Sequence, residues 1–233
     1  MSAFRSARVW SNQELRRFST GLDGAVVNVS GAHDEDKQGR HYRDYFPAAS
    51  SYDVTNYKGF RGATGTEGEI FLDLADELPP GLAQRFDVVF NHTTLEHIYE
   101  VHAAFRHLCE MSRDLVVVVV PFVQVTHWSD SFGDFWRFTP MGVRQMFEEN
   151  DLTVVHEAAG PRNGEPIYLL FVGSRHPERW TAASRPAERI DAPIGQWIGR
   201  HFWADRVLPR LRKLLRLLRR GSSGPDGNPD DET

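Results

Sequence analysis

A chain of 233 residues holds one domain with extensions, and 40% hydrophobic with 25% charged residues is the balance of an ordinary globular protein. A net charge of −5 argues against nucleic acid as a partner. The single cysteine, Cys109, excludes an internal disulfide and a cysteine-based zinc site, and its apolar helical surroundings predict a buried, inert thiol.

No charged start leads into an apolar run, so no secretory leader is expected. No stretch reaches about 18 apolar residues, so no membrane span is expected either, and the expected location is cytoplasmic. Trp10, Leu15 and Phe18 lie in a leading helix over 1–20, with Ser11 and Glu14 at capping-box spacing. Ala25 to Val29 is a short apolar run ending at Ser30-Gly31, the first predicted strand. A turn or helical segment follows at Tyr42 to Phe46, then a weaker strand at Tyr52 to Thr55. Residues 58–68 hold four glycines and read as loop. Ile70 to Leu72 is a third strand, ended by Asp73.

The densest signal runs from Phe86 to Pro140. Asp87 to Phe90 and Leu115 to Val120 are β-branched apolar runs flanking a segment of helical period. That is a βαβ unit with buried parallel strands. Polar and aromatic residues crowd the point after each strand, where open α/β sheets bind ligands. Thr139 and Pro140 then open a helix to Glu149, and Leu152 to His156 with Ile167 to Val172 form a closing hairpin around Asn163-Gly164. The predicted fold class is therefore α/β, a doubly wound and mostly parallel sheet.

Residues 176–190 read as a linker and 191–204 as a helix carrying Trp197, Ile198, Phe202 and Trp203. Residues 206–220 form a basic amphipathic pattern, with Leu211, Leu214, Leu215 and Leu218 on one stripe. That pattern suits either an anionic membrane surface, making the protein peripheral at the inner membrane face, or packing on its own domain or on a second copy in a homo-oligomer. The tail 221–233 is rich in Gly, Pro, Ser and Asp and is expected to be disordered.

The stretch Phe86–Val89, Leu95-Glu96-His97, Pro121-Phe122, His127 and Asp134-Phe135-Trp136-Arg137-Phe138-Thr139-Pro140 resembles the second half of class I, Rossmann-like S-adenosylmethionine-dependent methyltransferases. Within them it is similar to a subset of bacterial cell-surface glycan methyltransferases. The resemblance covers residues 21–175 and implies a seven-stranded sheet, S-adenosylmethionine as cofactor and methyl transfer to a hydroxyl of a sugar or related polar acceptor.

A nucleoside cofactor on such a sheet needs close backbone approach after strand one, an acid after strand two and a polar contact after strand three. Asn28, Ser30 and Gly31 are the candidates for the first, Asp53 for the second and Asp73 for the third. Asn91 follows strand four and is a further cofactor candidate, with His92 beside it as a proton acceptor. His127 is the first choice of catalytic base, and Trp128, Asp134, Trp136 and Arg137 are the candidate acceptor contacts. The first loop keeps one glycine of the family's motif. That leaves open a catalytically inactive binding or scaffold protein on the same fold. The lack of G-x-G-x-x-G after strand one argues against a dinucleotide enzyme. His92, His97, His102 and His107 are five apart, about 140° per step on a helix, so they share no face and no metal site is expected.

Overall fold

The computed structural model describes residues 3–57, 69–161, 166–180 and 190–191. The expected loop at 58–68, the turn at Asn163-Gly164, all but the first residue of the expected helix at 191–204, the helix at 206–220 and the tail at 221–233 lie outside the described residues.

Seven strands form one sheet: β1 (Asp23–Val29), β2 (Ala48–Asn56), β3 (Glu69–Phe71), β4 (Phe86–His92), β5 (Ser112–Pro121), β6 (Thr153–Gly160) and β7 (Tyr168–Ser174). Their order is β3-β2-β1-β4-β5-β7-β6. β1 through β5 pair in parallel, and β7 lies antiparallel to both β5 and β6. This is the α/β, Rossmann-like methyltransferase arrangement. The chain leaves β1 toward β2 on one side and resumes on β1's other side at β4. The carboxyl ends of β1 and β4 therefore flank the switch point, where the two directions of winding leave a crevice.

Strand alternation sorts the core onto two faces. Val26, Val88, Phe90, Leu115, Val117, Val119, Tyr168, Leu170 and Val172 share one face. Val27, Val29, Val89, Val116, Val118, Val120, Leu169 and Phe171 share the other. The second face is covered by α2 (Val101–Met111) and α3 (Pro140–Glu148). α2 buries Val101, Ala104, Phe105, Leu108 and Cys109, an i, i+3, i+4, i+7, i+8 stripe. The Cys109 thiol is pushed up to about 12 by burial. α3 starts on Pro140, and the Thr139 hydroxyl accepts the Gly142 N–H.

The first face is covered by α1 (Ala3–Ser19) and a 3-10 turn at Tyr42–Tyr45. α1 starts well before the capping-box spacing suggests. Ser11 is not a cap but a fully buried mid-helix residue, its hydroxyl donating to Arg8 O. Trp10 lies flat on β6, where a Cβ on Gly160 would sit 2.2 Å from the indole. Between β1 and β2 the described chain has that 3-10 turn, where a turn or helical segment was expected. Between β4 and α2 it has a 3-10 turn at Leu95–His97, so Glu96 and His97 precede the helix rather than opening it.

Candidate functional site

At the carboxyl end of β4 two neighbouring residues point to opposite faces. His92 follows Val88 and Phe90 onto the α1 side, where Tyr42 and Tyr168 pack around it. Arg8 donates to His92 Nδ1 at 2.6 Å, and Ser11 Oγ lies 2.9 Å from Nε2. Since Ser11 donates to Arg8 O and Arg8 donates to Nδ1, the ring is the neutral Nε2–H tautomer, donating to Ser11. Burial first, and then the Arg8 charge, hold its pKa well below the ordinary histidine value. His92 is therefore a clasp for α1, with both ring nitrogens engaged, and is withdrawn as a catalytic base.

Asn91 faces the other way. Its Nδ2 donates to Val29 O, while Oδ1 is buried without a hydrogen-bond partner. Just beyond, Glu96 is fully buried and neither carboxylate oxygen has a hydrogen-bond partner. Burial pushes its pKa up to about 8, against the opposing charges of Arg8 and Arg137. Orphaned buried acceptors are costly, about 1–3 kcal/mol each and more for a charge, so Asn91 Oδ1 and Glu96 are each a candidate contact for a ligand's donor.

The segment after β5 is strapped over this turn. Phe135 N–H donates to Glu96 O at 2.8 Å, Trp136 Nε1 donates to Ile98 O at 3.0 Å, and His97 Nδ1 donates to Gly133 O at 2.5 Å. His127 stacks edge-on against His97, ring centroids 5.2 Å apart, and its backbone N–H donates to Asp134. Burial and the neighbouring His97 lower the His127 pKa, so the exposed ring is a neutral proton acceptor at neutral pH.

Three of the predicted acceptor contacts are consumed by this strap. Arg137 binds both oxygens of Asp134, at 2.5 and 2.8 Å, and donates to the carbonyls of Gln124, Val125 and Trp136. The hydrogen bonds from Arg137 hold the Asp134 pKa down to about 2. Trp136 is anchored by its indole N–H and packs on the core. Asp134, Trp136 and Arg137 are loop framework, not free contacts. Trp128 is 65% exposed and heads an open groove of about 460 Å³ lined by Ser129, Asp130, Ser131 and Phe132.

The predicted cofactor residues divide similarly. Asn28 is buried on the α1 side and donates to Asp34. Ser30 sits at φ 58° and its N–H donates to Thr55 Oγ1, while Gly31 N–H donates to Thr55 O and Ala32 N–H to Asn56 Oδ1. The amides that were to cradle a ligand are thus held by the end of β2. Asp53 lies three residues before that end and pairs with Arg85 at 3.2 Å. It does not sit at the ribose position; Glu69, accepting from Asn56 Nδ2, reaches that end. Asp73 does follow β3, where it caps a turn by accepting the Ala75 N–H.

No protein-family model matches the chain, and no curated protein matches it. Solved structures do. Magnesium protoporphyrin IX methyltransferase of Synechocystis PCC 6803, solved with S-adenosylmethionine bound, is 12% identical, with 75% of this chain and 85% of that one aligned at a TM-score of 0.50. An S-adenosylmethionine-dependent methyltransferase from Mesorhizobium loti is 12% identical over 72% of this chain and 98% of its own, TM-score 0.51. A Rhodobacter sphaeroides chain described as a zinc-dependent alcohol dehydrogenase aligns as well, at 15% identity over 70% and 88% with a TM-score of 0.53. The likeness is one of fold, and a fold hosts more than one chemistry.

Sequence reasoning did not single out Glu96 as a site residue. It also excluded metal from histidines placed on one helix. In the structure His97 precedes the helix and meets His127 from the strap, so Glu96, His97 and His127 gather with ligand atoms within 4.8 Å of one another. The residue-type pattern Glu-His followed by a distant His was readable, but the pairing is long-range.

Proposed function

We propose that this chain is an S-adenosylmethionine-dependent methyltransferase acting on a hydroxyl of a sugar or related polar acceptor. The observation that carries the reading is the switch-point group itself. Asn91 Oδ1 is a buried acceptor without a partner at the carboxyl end of β4, and His127 is held against His97 on an exposed strap. Asn91 Oδ1 fits an ammonium or hydroxyl donor of the cofactor, and Asp73 stands at the end of β3, where the adenine side of such a ligand would lie. S-adenosylmethionine, when bound, supplies a methyl group already activated on a sulfonium. The chain then has to position the acceptor and receive its proton. Trp128 offers a flat aromatic face beside the hydroxyls of Ser129 and Ser131, which suits a ring bearing several hydroxyls. His127, neutral and exposed, takes the proton. Asp134 and Arg137 hold the backbone that carries it.

One observation favours a second reading, a binding scaffold that has lost the cofactor. The amides of residues 30–32 are all bound to Thr55 and Asn56. Incubation of the full chain with methyl-labelled S-adenosylmethionine and a panel of polyhydroxylated acceptors separates the two. Transfer to one acceptor is expected, with kcat/KM lowered at least ~10-fold in Trp128→Ala and its Tm unchanged. No cofactor retained and no label transferred to any acceptor would favour the scaffold.

A further inference from the structure

Glu96, His97 and His127 stand out among the described residues because they bring two imidazoles and a buried carboxyl group together. His97 gives its Nδ1 proton to Gly133 O, which leaves Nε2 with a bare lone pair. That lone pair faces Glu96 Oε1 at 3.7 Å. At that distance no hydrogen bond joins the two. The Glu96 carboxylate is fully buried, with no hydrogen-bond partner on either oxygen. The third ligand atom, on His127, completes a set within 4.8 Å.

We propose that these three residues form a binding site for a divalent transition-metal cation, held by two imidazoles and one carboxylate. A tetrahedral ion with bonds near 2.1 Å sets its ligands about 3.4 Å apart. The Glu96–His97 separation of 3.7 Å is already close to that, and His127, on the exposed strap, has only to turn inward. The donor set suits Zn²⁺, Co²⁺, Mn²⁺ or Fe²⁺ rather than Mg²⁺ or Ca²⁺, which prefer all-oxygen shells. The Gly133 carbonyl bonded to His97 Nδ1 is the outer partner that metal-bound histidines ordinarily have; it fixes the tautomer and the ring orientation. Asp134 does the same for the strap by holding the His127 backbone N–H. Three protein ligands leave at least one position open. A bound ion would occupy the His127 lone pair, so the site stands as an alternative to His127 as the proton acceptor, and it holds whether or not the chain binds S-adenosylmethionine.

The test uses the full chain, stripped with a chelator and titrated with Co²⁺ while the visible d–d absorption is followed. One Co²⁺ per chain is expected, displaced by Zn²⁺. His127→Ala changes an exposed ring, so its fold should survive by thermal melt while Co²⁺ affinity falls at least ~10-fold, the change outer-shell losses already cause. Glu96→Gln should weaken binding at least as much, and His102→Ala, on the exposed face of α2, should leave it unchanged. Absence of saturable Co²⁺ binding below millimolar would overturn the proposal. So would binding that His127→Ala and Glu96→Gln leave intact.

Discussion

Replacing Arg8 with methionine tests whether His92 is a clasp rather than a catalyst. The guanidinium donates to His92 Nδ1 at 2.6 Å, to Tyr42 Oη at 3.3 Å and to Thr93 Oγ1 at 3.1 Å. Methionine keeps much of the volume and removes all three donors. His92 Nδ1 is then a buried acceptor with nothing to accept from Arg8, a loss of about 1–3 kcal/mol, and the two hydroxyls lose about 0.5–1.5 kcal/mol each. Relief of the desolvated charge offsets part of this, leaving about 3 kcal/mol. At about 2–4 °C per kcal/mol for a chain of this size, Tm should fall by roughly 6–12 °C. The pH profile should change as well. Unfolded His92 binds a proton below about pH 6.5, whereas the folded residue, with its lowered pKa, does so only at much lower pH. The unfolded state thus binds more protons in that window, and stability falls as pH drops through it. Without the Arg8 charge the folded pKa rises, so the fall should be shallower in Arg8→Met. Thermal melts at pH 8, 7, 6 and 5 read both effects. A Tm within 2 °C of wild type and an unchanged pH slope would refute the clasp.

Asp36 is fully buried and receives Tyr45 Oη at 2.6 Å and the amides of Gln38 and Arg40. Burial alone would raise its pKa, but these bonds and the Arg16 charge outweigh it and hold the pKa low. Its contribution is complete above the unfolded pKa and is lost as pH falls through the lowered folded value, so Asp36→Asn should cost about 2 kcal/mol at pH 7 and much less near pH 2. Asp53→Ala should leave S-adenosylmethionine affinity within about 2-fold of wild type, since its carboxylate serves Arg85; a loss of ~10-fold or more would return it to the ribose position.

The strands at the centre of the sheet were readable because β4 and β5 are buried on both faces and therefore carry unbroken Val-rich runs. β2 was read four residues short at its start, since Ala48 to Ser51 neighbour only one strand on a less covered part of the sheet and stay polar. The predicted carboxyl end, Thr55, is one residue from the observed Asn56, so Asp53 lies inside the strand in both. The orientation of His92 was readable too: a period of two from Val88 and Phe90 sends it to the α1 face, away from Asn91. Arg8, by contrast, lies 84 residues from His92 in the chain, and nothing local marks it as the partner. The same holds for the strap. Asp134 and Arg137 announced themselves as functional by their chemistry, yet an i, i+3 pair that satisfies itself is framework, and only the contacts of His127 and Gly133 with His97 show which side chains remain for a ligand.

Calorimetric titration of the full chain with S-adenosylhomocysteine, the demethylated cofactor, tests the central claim most directly. The methyltransferase reading predicts saturable binding at one site per chain, accompanied by a rise in Tm, and weakened by Asn91→Leu, which removes the unpaired Oδ1 acceptor. No heat and no thermal shift at millimolar ligand would contradict it, leaving the α/β fold in place and the scaffold reading as the account of the chain.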